Sequence, residues 1–141
     1  DSDHYGSLSP FMRIATLAAY TAQGKEWIDA LLTFTTENER ILSAFLTEHM
    51  PTASLCRHSA GTLVWVDFRG EGSEEEMHAL FTAAGIEPDL GSKYGEPGRG
   101  FMRLQIGMPR HELTGALNRL SAVIHSQKRE NDRMPDVQTA D

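Results

Sequence analysis

A single cysteine, Cys56, in a chain of 141 residues leaves no internal disulfide to form. No signal-peptide pattern opens the sequence either, so a reducing, cytoplasmic setting is expected. Long apolar runs are missing: Leu63-Val64-Trp65-Val66 is as long as any, far short of the roughly 18 residues a membrane-spanning helix needs. No membrane partner is expected. Positive charge is scarce, with 13 Lys and Arg against 20 Asp and Glu and a net charge of −7, so no basic face offers itself to a phosphate backbone. Nucleic acid is not expected as a partner on that ground. The six histidines make no metal pattern: His111-Glu112 begins like HExxH, but Gly115 stands where the second histidine is needed.

What remains is an ordinary globular composition, 40% hydrophobic with 12 glycines, in the size range of one domain. Ser9-Pro10 places a capping hydroxyl before a proline, and Phe11, Ile14, Leu17 and Ala18 follow at helical spacing. This predicts a helix over about 10–23, stopped by Gly24. Trp27, Ile28, Leu31, Leu32, Ile41, Leu42, Phe45 and Leu46 form a second stripe, which predicts a helix from Lys25 to Met50, ended by Pro51. At 1.5 Å per residue it spans about 39 Å, more than the roughly 30 Å width of a small domain. One end is therefore expected to reach past the local core toward another domain or subunit; a bend near Thr33-Phe34-Thr35-Thr36 is the alternative.

After Pro51 the period changes. Ser54 to His58 and Thr62 to Phe68 read as strands around a Ser59-Ala60-Gly61 turn. Ser73-Glu74-Glu75-Glu76 is a capping box, which explains these glutamates better than catalysis does. The helix it opens turns Met77, Leu80 and Phe81 inward and stops at Gly85. Ile86 to Leu90 is a short strand, and Gly91 to Gly100 a loop with four glycines. Phe101 to Gly107 alternates, with Met102, Leu104 and Ile106 on one face and Phe101, Arg103 and Gln105 on the other. Pro109 opens a last helix with a stripe from Leu113 to Ile124, and from Ser126 the chain is polar and aperiodic, read as a loose tail. The fold class is α/β, an α+β small domain: a small mixed sheet of three or four strands, helices on one face, and a long connecting helix before it.

Arg103 is the leading candidate for binding. A guanidinium in the middle of a half-apolar strand is costly unless it meets an anion, and its planar fork matches a carboxylate. An edge-strand arginine in water, or a structural ion pair, is the competing reading. The loop Gly91-Ser92-Lys93-Tyr94-Gly95-Glu96-Pro97-Gly98-Arg99-Gly100 fits neither the Walker pattern nor GxGxxG. It reads as flexible turn chemistry, or as a wall in which Tyr94 and Arg99 line a pocket. Cys56-Arg57-His58 lacks the arginine a thiolate phosphatase loop needs, since the sixth residue after Cys56 is Thr62, and Cys56 reads as a small buried or half-buried residue. Trp27, Phe45, Trp65 and Phe101 sit on apolar stripes and read as core.

Taken in order, Ser7-Leu8-Ser9, Ala18-Ala19-Tyr20, Gly24, Trp27, Asn38, the stretch Gly61-Thr62-Leu63-Val64-Trp65-Val66-Asp67-Phe68-Arg69, Gly91-Ser92-Lys93-Tyr94-Gly95, Gly98-Arg99-Gly100-Phe101-Met102-Arg103-Leu104, Pro109-Arg110 and Leu117, Arg119 and Leu120 carry a resemblance. They resemble the C-terminal part of class I/II aminotransferase-fold enzymes that use pyridoxal phosphate, above all the cystathionine β-lyase type. The resemblance implies a type I fold, with a large cofactor domain and a small C-terminal domain that closes over an amino-acid substrate, in a homodimer. It implies that residues 1–26 end the large domain, 27–50 connect, 51–126 form the small domain and 127–141 are a polar tail. It gives Arg103 the substrate α-carboxylate, and Tyr94 and Gly95 a place in the loop that shapes the pocket. Tyr94 stands where relatives often have phenylalanine, Leu63 where they have tyrosine, Gln105 where they have asparagine and Gly107 where they have alanine.

The Schiff-base lysine, the aspartate at the pyridinium nitrogen and the phosphate grip of that family belong to the large domain, and Lys25, Lys93 and Lys128 do not sit in that motif. No catalytic or cofactor-binding residue is therefore expected in this chain. Pyridoxal phosphate belongs to the full-length enzyme, either a carbon–sulfur β-lyase or an aminotransferase. The opening Asp1-Ser2-Asp3 agrees with a piece of something longer. A non-catalytic, free-standing binding module is the alternative expectation.

Overall fold

The structure, a computed structural model, describes residues 9–133. Ser7, Leu8 and residues 134–141 of the expected tail lie outside the described residues. The chain divides into two compact units after Thr36.

The first unit holds α1 (Pro10–Ala19) and the opening turns of α2 (Ala22–His49). Ser9 Oγ accepts the Met12 amide at 3.3 Å, and Pro10 occupies the first helical position, where its missing N–H costs nothing. The helix ends earlier than its pattern predicts. Thr21 Oγ1 accepts the Gly24 amide at 3.2 Å and so starts α2 at Ala22. Gly24, expected to stop the first helix, therefore lies inside the second. A Cβ there would run into the Ala19 carbonyl, so the close approach of the two helices requires glycine.

Thr33 and Thr35 lie inside α2, and their hydroxyls donate back to the Asp29 and Leu31 carbonyls at 2.9 and 3.0 Å. The apolar stripe of this unit stands open. Phe11, Ile14, Leu17 and Trp27 are all exposed, Trp27 by 66%, which corrects the reading of Trp27 as core. Its helical pattern is real, but the described residues of this unit contain no second layer to bury it.

The second unit contains the rest of α2, then β1 (Ser54–Leu55), β2 (Leu63–Asp67), α3 (Glu74–Ala83), β3 (Asp89–Leu90), β4 (Phe101–Gln105) and α4 (Arg110–Arg133). The four strands are ordered β1-β2-β4-β3. The expected small sheet with helices is present, but its pairings are all antiparallel rather than mixed. The reason is topological: β2 and β3, joined through α3, run the same way, and β4 lies between them, so no two parallel strands touch.

Period-2 alternation divides the sheet. Val64 lies opposite Leu104 and Val66 opposite Met102, and Val64, Val66 and Met102 are fully buried. They share one core with Leu42, Phe45 and Leu46 of α2, Phe81 of α3 and Leu117 and Leu120 of α4. Each such side chain contributes roughly 1.5–3 kcal/mol. Trp65 opposite Arg103, and Leu63 opposite Gln105, fall on the other face, which is only half-buried or exposed. Trp65 and Phe101 are thus half-buried on the outer face, while Phe45 is core.

The capping box is made in full: Glu76 returns a carboxylate to the Ser73 amide at 2.8 Å. At the other end of α3, Arg119 Nε donates to the Ala84 carbonyl at 2.9 Å, a cation at the negative end of a helix. The last helix does not fray at Ser126 as expected but continues to Arg133. Gln127-Lys128-Arg129-Glu130 are good helix formers and extend it without needing a core.

Asn38 is wholly buried and joins α2 to the chain leaving the sheet, donating through Nδ2 to the carbonyls of Ile106 and Met108 at 2.8 and 2.9 Å. Replacing it leaves two carbonyls short of donors. Asn38→Ala is expected to destabilise the protein by roughly 2–3 kcal/mol, measured by denaturant unfolding; a loss below 0.5 kcal/mol would show that water replaces the amide without cost.

Candidate functional site

The outer face of the sheet brings together residues from three places in the chain. Arg103 on β4 pairs across the ladder with Trp65 on one side and Asp89 on the other. Its Nε and Nη2 both donate to Asp89 Oδ2, at 3.2 and 2.5 Å. Tyr94 lies beneath it, with the guanidinium carbon 5.0 Å from the ring centre, and the tyrosine ring meets Trp65 edge-on at 5.2 Å. Lys93 Nζ is 3.9 Å from Asp89 Oδ1. Two cations thus share one carboxylate, which leaves the cluster a positive charge in excess.

Hydrogen bonding to Arg103 holds the Asp89 carboxyl below its ordinary range, against a smaller opposing effect of burial, and the Lys93 charge and Tyr94 hydroxyl add to it. The same bond pushes the Arg103 guanidinium up. The ion pair that one reading of Arg103 foresaw is therefore present.

A second ion pair on the same face uses the same edge of its guanidinium. Arg69 meets both oxygens of Asp67, Nε to Oδ1 at 2.9 Å and Nη2 to Oδ2 at 2.6 Å, and lies over the Phe101 ring. Arg103 instead spends two N–H groups on one oxygen. Among the described residues its Nη1 makes no hydrogen bond, so the Nη1–Nη2 edge keeps the parallel donors that fit a carboxylate.

The glycine loop is built rather than slack. It folds as two 3-10 turns, Gly91–Tyr94 and Glu96–Gly98, joined at Gly95, whose φ of 113° lies where only glycine is at ease. Gly91 and Gly98 touch backbone to backbone, and a Cβ on either would meet the other's carbonyl. Glu74 ties the loop down. Only 5% exposed at the first turn of α3, it accepts the amides of Ser92 and Gly100 at 3.2 and 3.0 Å.

Of the sequence candidates, Arg103 and Tyr94 are in contact and Gly95 follows directly; Arg99 faces away, toward Glu75 and Glu96. Asp89 and Glu74 are site residues that the sequence does not single out. Asp89 lies in a segment that reads only as a strand and shares it with a second acid, Glu87. Glu74 stands in a run of glutamates that capping explains. A cavity of about 490 Å³ runs along α4 and takes in Arg103 and Gln105, but not Asp89, Tyr94 or Trp65, and its walls are mostly core side chains such as Phe45, Leu104 and Leu117. Cys56 is half-buried, and burial, with Asp67 nearby, pushes its thiol up. It is not primed as a nucleophile.

No family model matches the chain. Among curated proteins it is 35% identical over 123 residues to cystathionine β-lyase PatB of Bacillus subtilis, covering 84% of this chain and 31% of that protein. It is 31% identical over 127 residues to protein MalY of Escherichia coli, covering 86% and 32%. Among solved structures, the pyridoxal-phosphate-bound C–S lyase of Staphylococcus hominis, complexed with L-cycloserine, superposes with a TM-score of 0.72 at 26% identity, over 88% of this chain and 33% of that one. The chain has the fold of the C-terminal part of the aminotransferase-fold enzymes. It spans about a third of the length of the curated relatives it matches.

A pyridoxal-phosphate site in this fold is built on a lysine amine. Lys25, Lys93 and Lys128 are all exposed and none lines the 490 Å³ cavity, so the described residues do not by themselves fit the cofactor.

Burial pushes the Glu74 carboxyl up, but the Ser92 hydroxyl and the Gly100 and Ser92 amides together outweigh it and hold the group below its ordinary 4.5. Its stabilising contribution is therefore complete above pH 4.5 and is lost as pH falls through the lowered folded value. Glu74→Gln is expected to melt below wild type at pH 7, with the gap closing as pH drops below 4.5. A gap that stays constant or widens in acid, followed by circular dichroism, would mean that the charge is not what holds the loop.

Proposed function

We propose that this chain is the small, substrate-closing domain of a pyridoxal-phosphate-dependent carbon–sulfur β-lyase of the cystathionine β-lyase type, or of a related aminotransferase, acting on amino acids. The observation that carries the proposal is the half-used guanidinium of Arg103 on the outer face of the sheet. The likeness to PatB and MalY supports the class of chemistry. Residues 1–26 are then the end of the cofactor domain, 27–50 the connecting helix and 51–126 the small domain. The exposed Phe11, Ile14, Leu17 and Trp27 make an apolar surface suited to such a neighbour. The full enzyme is a cytoplasmic homodimer whose cofactor is held outside this chain, and this chain alone is inactive.

In this reading Arg103 takes the α-carboxylate of the amino acid on its Nη1–Nη2 edge, while Tyr94 and Gly95 shape the wall beside it. Fixing the carboxylate fixes which bond at the α-carbon is presented for cleavage. That is catalysis by orientation, and a guanidinium does it better than an ammonium because a planar fork sets direction as well as charge.

In the full-length enzyme Arg103→Ala is expected to raise KM, lower kcat and cost roughly a hundredfold in kcat/KM, the worth of two charge-assisted hydrogen bonds at about 1.5 kcal/mol each. Unchanged steady-state kinetics would remove Arg103 from the site. Pyruvate release from cystathionine, set against amino transfer that depends on a 2-oxo acid, separates the lyase from the aminotransferase.

A further inference from the structure

Arg103 carries a long side chain on a half-exposed face, and a guanidinium free to sample many rotamers binds a carboxylate poorly because ordering it costs entropy. Something must aim it. Asp89 stands directly opposite in the ladder, on the neighbouring strand, and engages only the Nε side of the fork. Tyr94 supports the guanidinium from below.

As a stabilising contact this ion pair is worth little, since 28% of the Arg103 and 42% of the Asp89 side chain is exposed. As a rival for the ligand's place it is badly shaped. It satisfies two donors with one oxygen, and its other oxygen is directed to Lys93 rather than to Nη1. Arg69 meets Asp67 on the same Nε–Nη2 edge, there with both carboxylate oxygens.

We propose that Asp89 is a positioning residue for Arg103: it occupies the Nε side of the guanidinium, holds it over Tyr94, and so leaves the Nη1–Nη2 edge set for the carboxylate of an amino acid. The inference rests on the reading of Arg103 given above and adds the group that aims it.

The test uses the full-length, cofactor-loaded enzyme and compares its affinity for one amino acid with that for the neutral primary amide of the same compound, read from the absorbance change of the cofactor on titration. Wild type prefers the acid. Asp89→Ala, which removes the accepting oxygen, is expected to weaken binding of the acid on the order of tenfold while leaving the amide unchanged, and Asp89→Asn, whose Oδ1 can still accept from Nε and Nη2, to keep part of the preference. Equal losses for acid and amide would overturn the proposal by showing a merely structural role. Tighter binding of the acid would overturn it by showing competition. If Arg103→Ala abolishes the preference for the acid but Asp89→Ala leaves it unchanged, only the role of Asp89 fails; if Arg103→Ala also keeps the preference, the carboxylate reading itself fails.

Discussion

The ladder between β2 and β4 is the constraint on which the rest of the second unit depends. Five consecutive residue pairs, from Leu63 with Gln105 to Asp67 with Phe101, fix which side chains enter the core and which do not. A slip of one residue would bury Arg103 and Trp65 and expose Val64 and Met102. The core cannot be made without placing the guanidinium outside, and the chemistry of the outer face is a by-product of packing the inner one. The strand ladder then sets the partners of Arg103 as well, since its neighbours in register are Trp65 and Asp89.

The glycine loop takes its shape from outside itself. Its two tight turns are closed by the contact between Gly91 and Gly98, and its ends are held by a buried carboxylate on a different element. Glu74 serves α3 and the loop at once. As an acid in the first helical turn it suits the dipole, and its remaining capacity goes to loop amides that would otherwise lack acceptors. Tyr94 is therefore presented under Arg103 by a rigid segment, and the aromatic contact to Trp65 fixes its ring on the far side.

What could be read in advance was the part governed by local periodicity. The alternation of Met102 and Leu104 with Phe101 and Arg103, the capping box at Ser73 and the inward stripe from Leu113 to Ile124 all depend on spacing within one element. What could not be read depended on register between elements. Nothing in the segment around Asp89 marks it as the partner of Arg103, because that pairing exists only once β3 lies beside β4. Nothing in Glu74-Glu75-Glu76 distinguishes the buried acid from its exposed neighbour. Trp27 failed for a different reason: a helical stripe says that a face seeks burial, and it says nothing of where the covering surface comes from.

The insertion of β4 between β2 and β3 also sets two loop closures against each other. Asp89 and Arg103 lie 14 residues apart in the chain and Leu63 and Gln105 lie 42 apart, so pairing β3 with β4 closes the shorter loop. The strand common to both pairings is β4, because β2 and β3 do not touch. Trp65 and Asp89 therefore become neighbours of one residue only through β4, and a change that displaces that strand parts all three side chains at once.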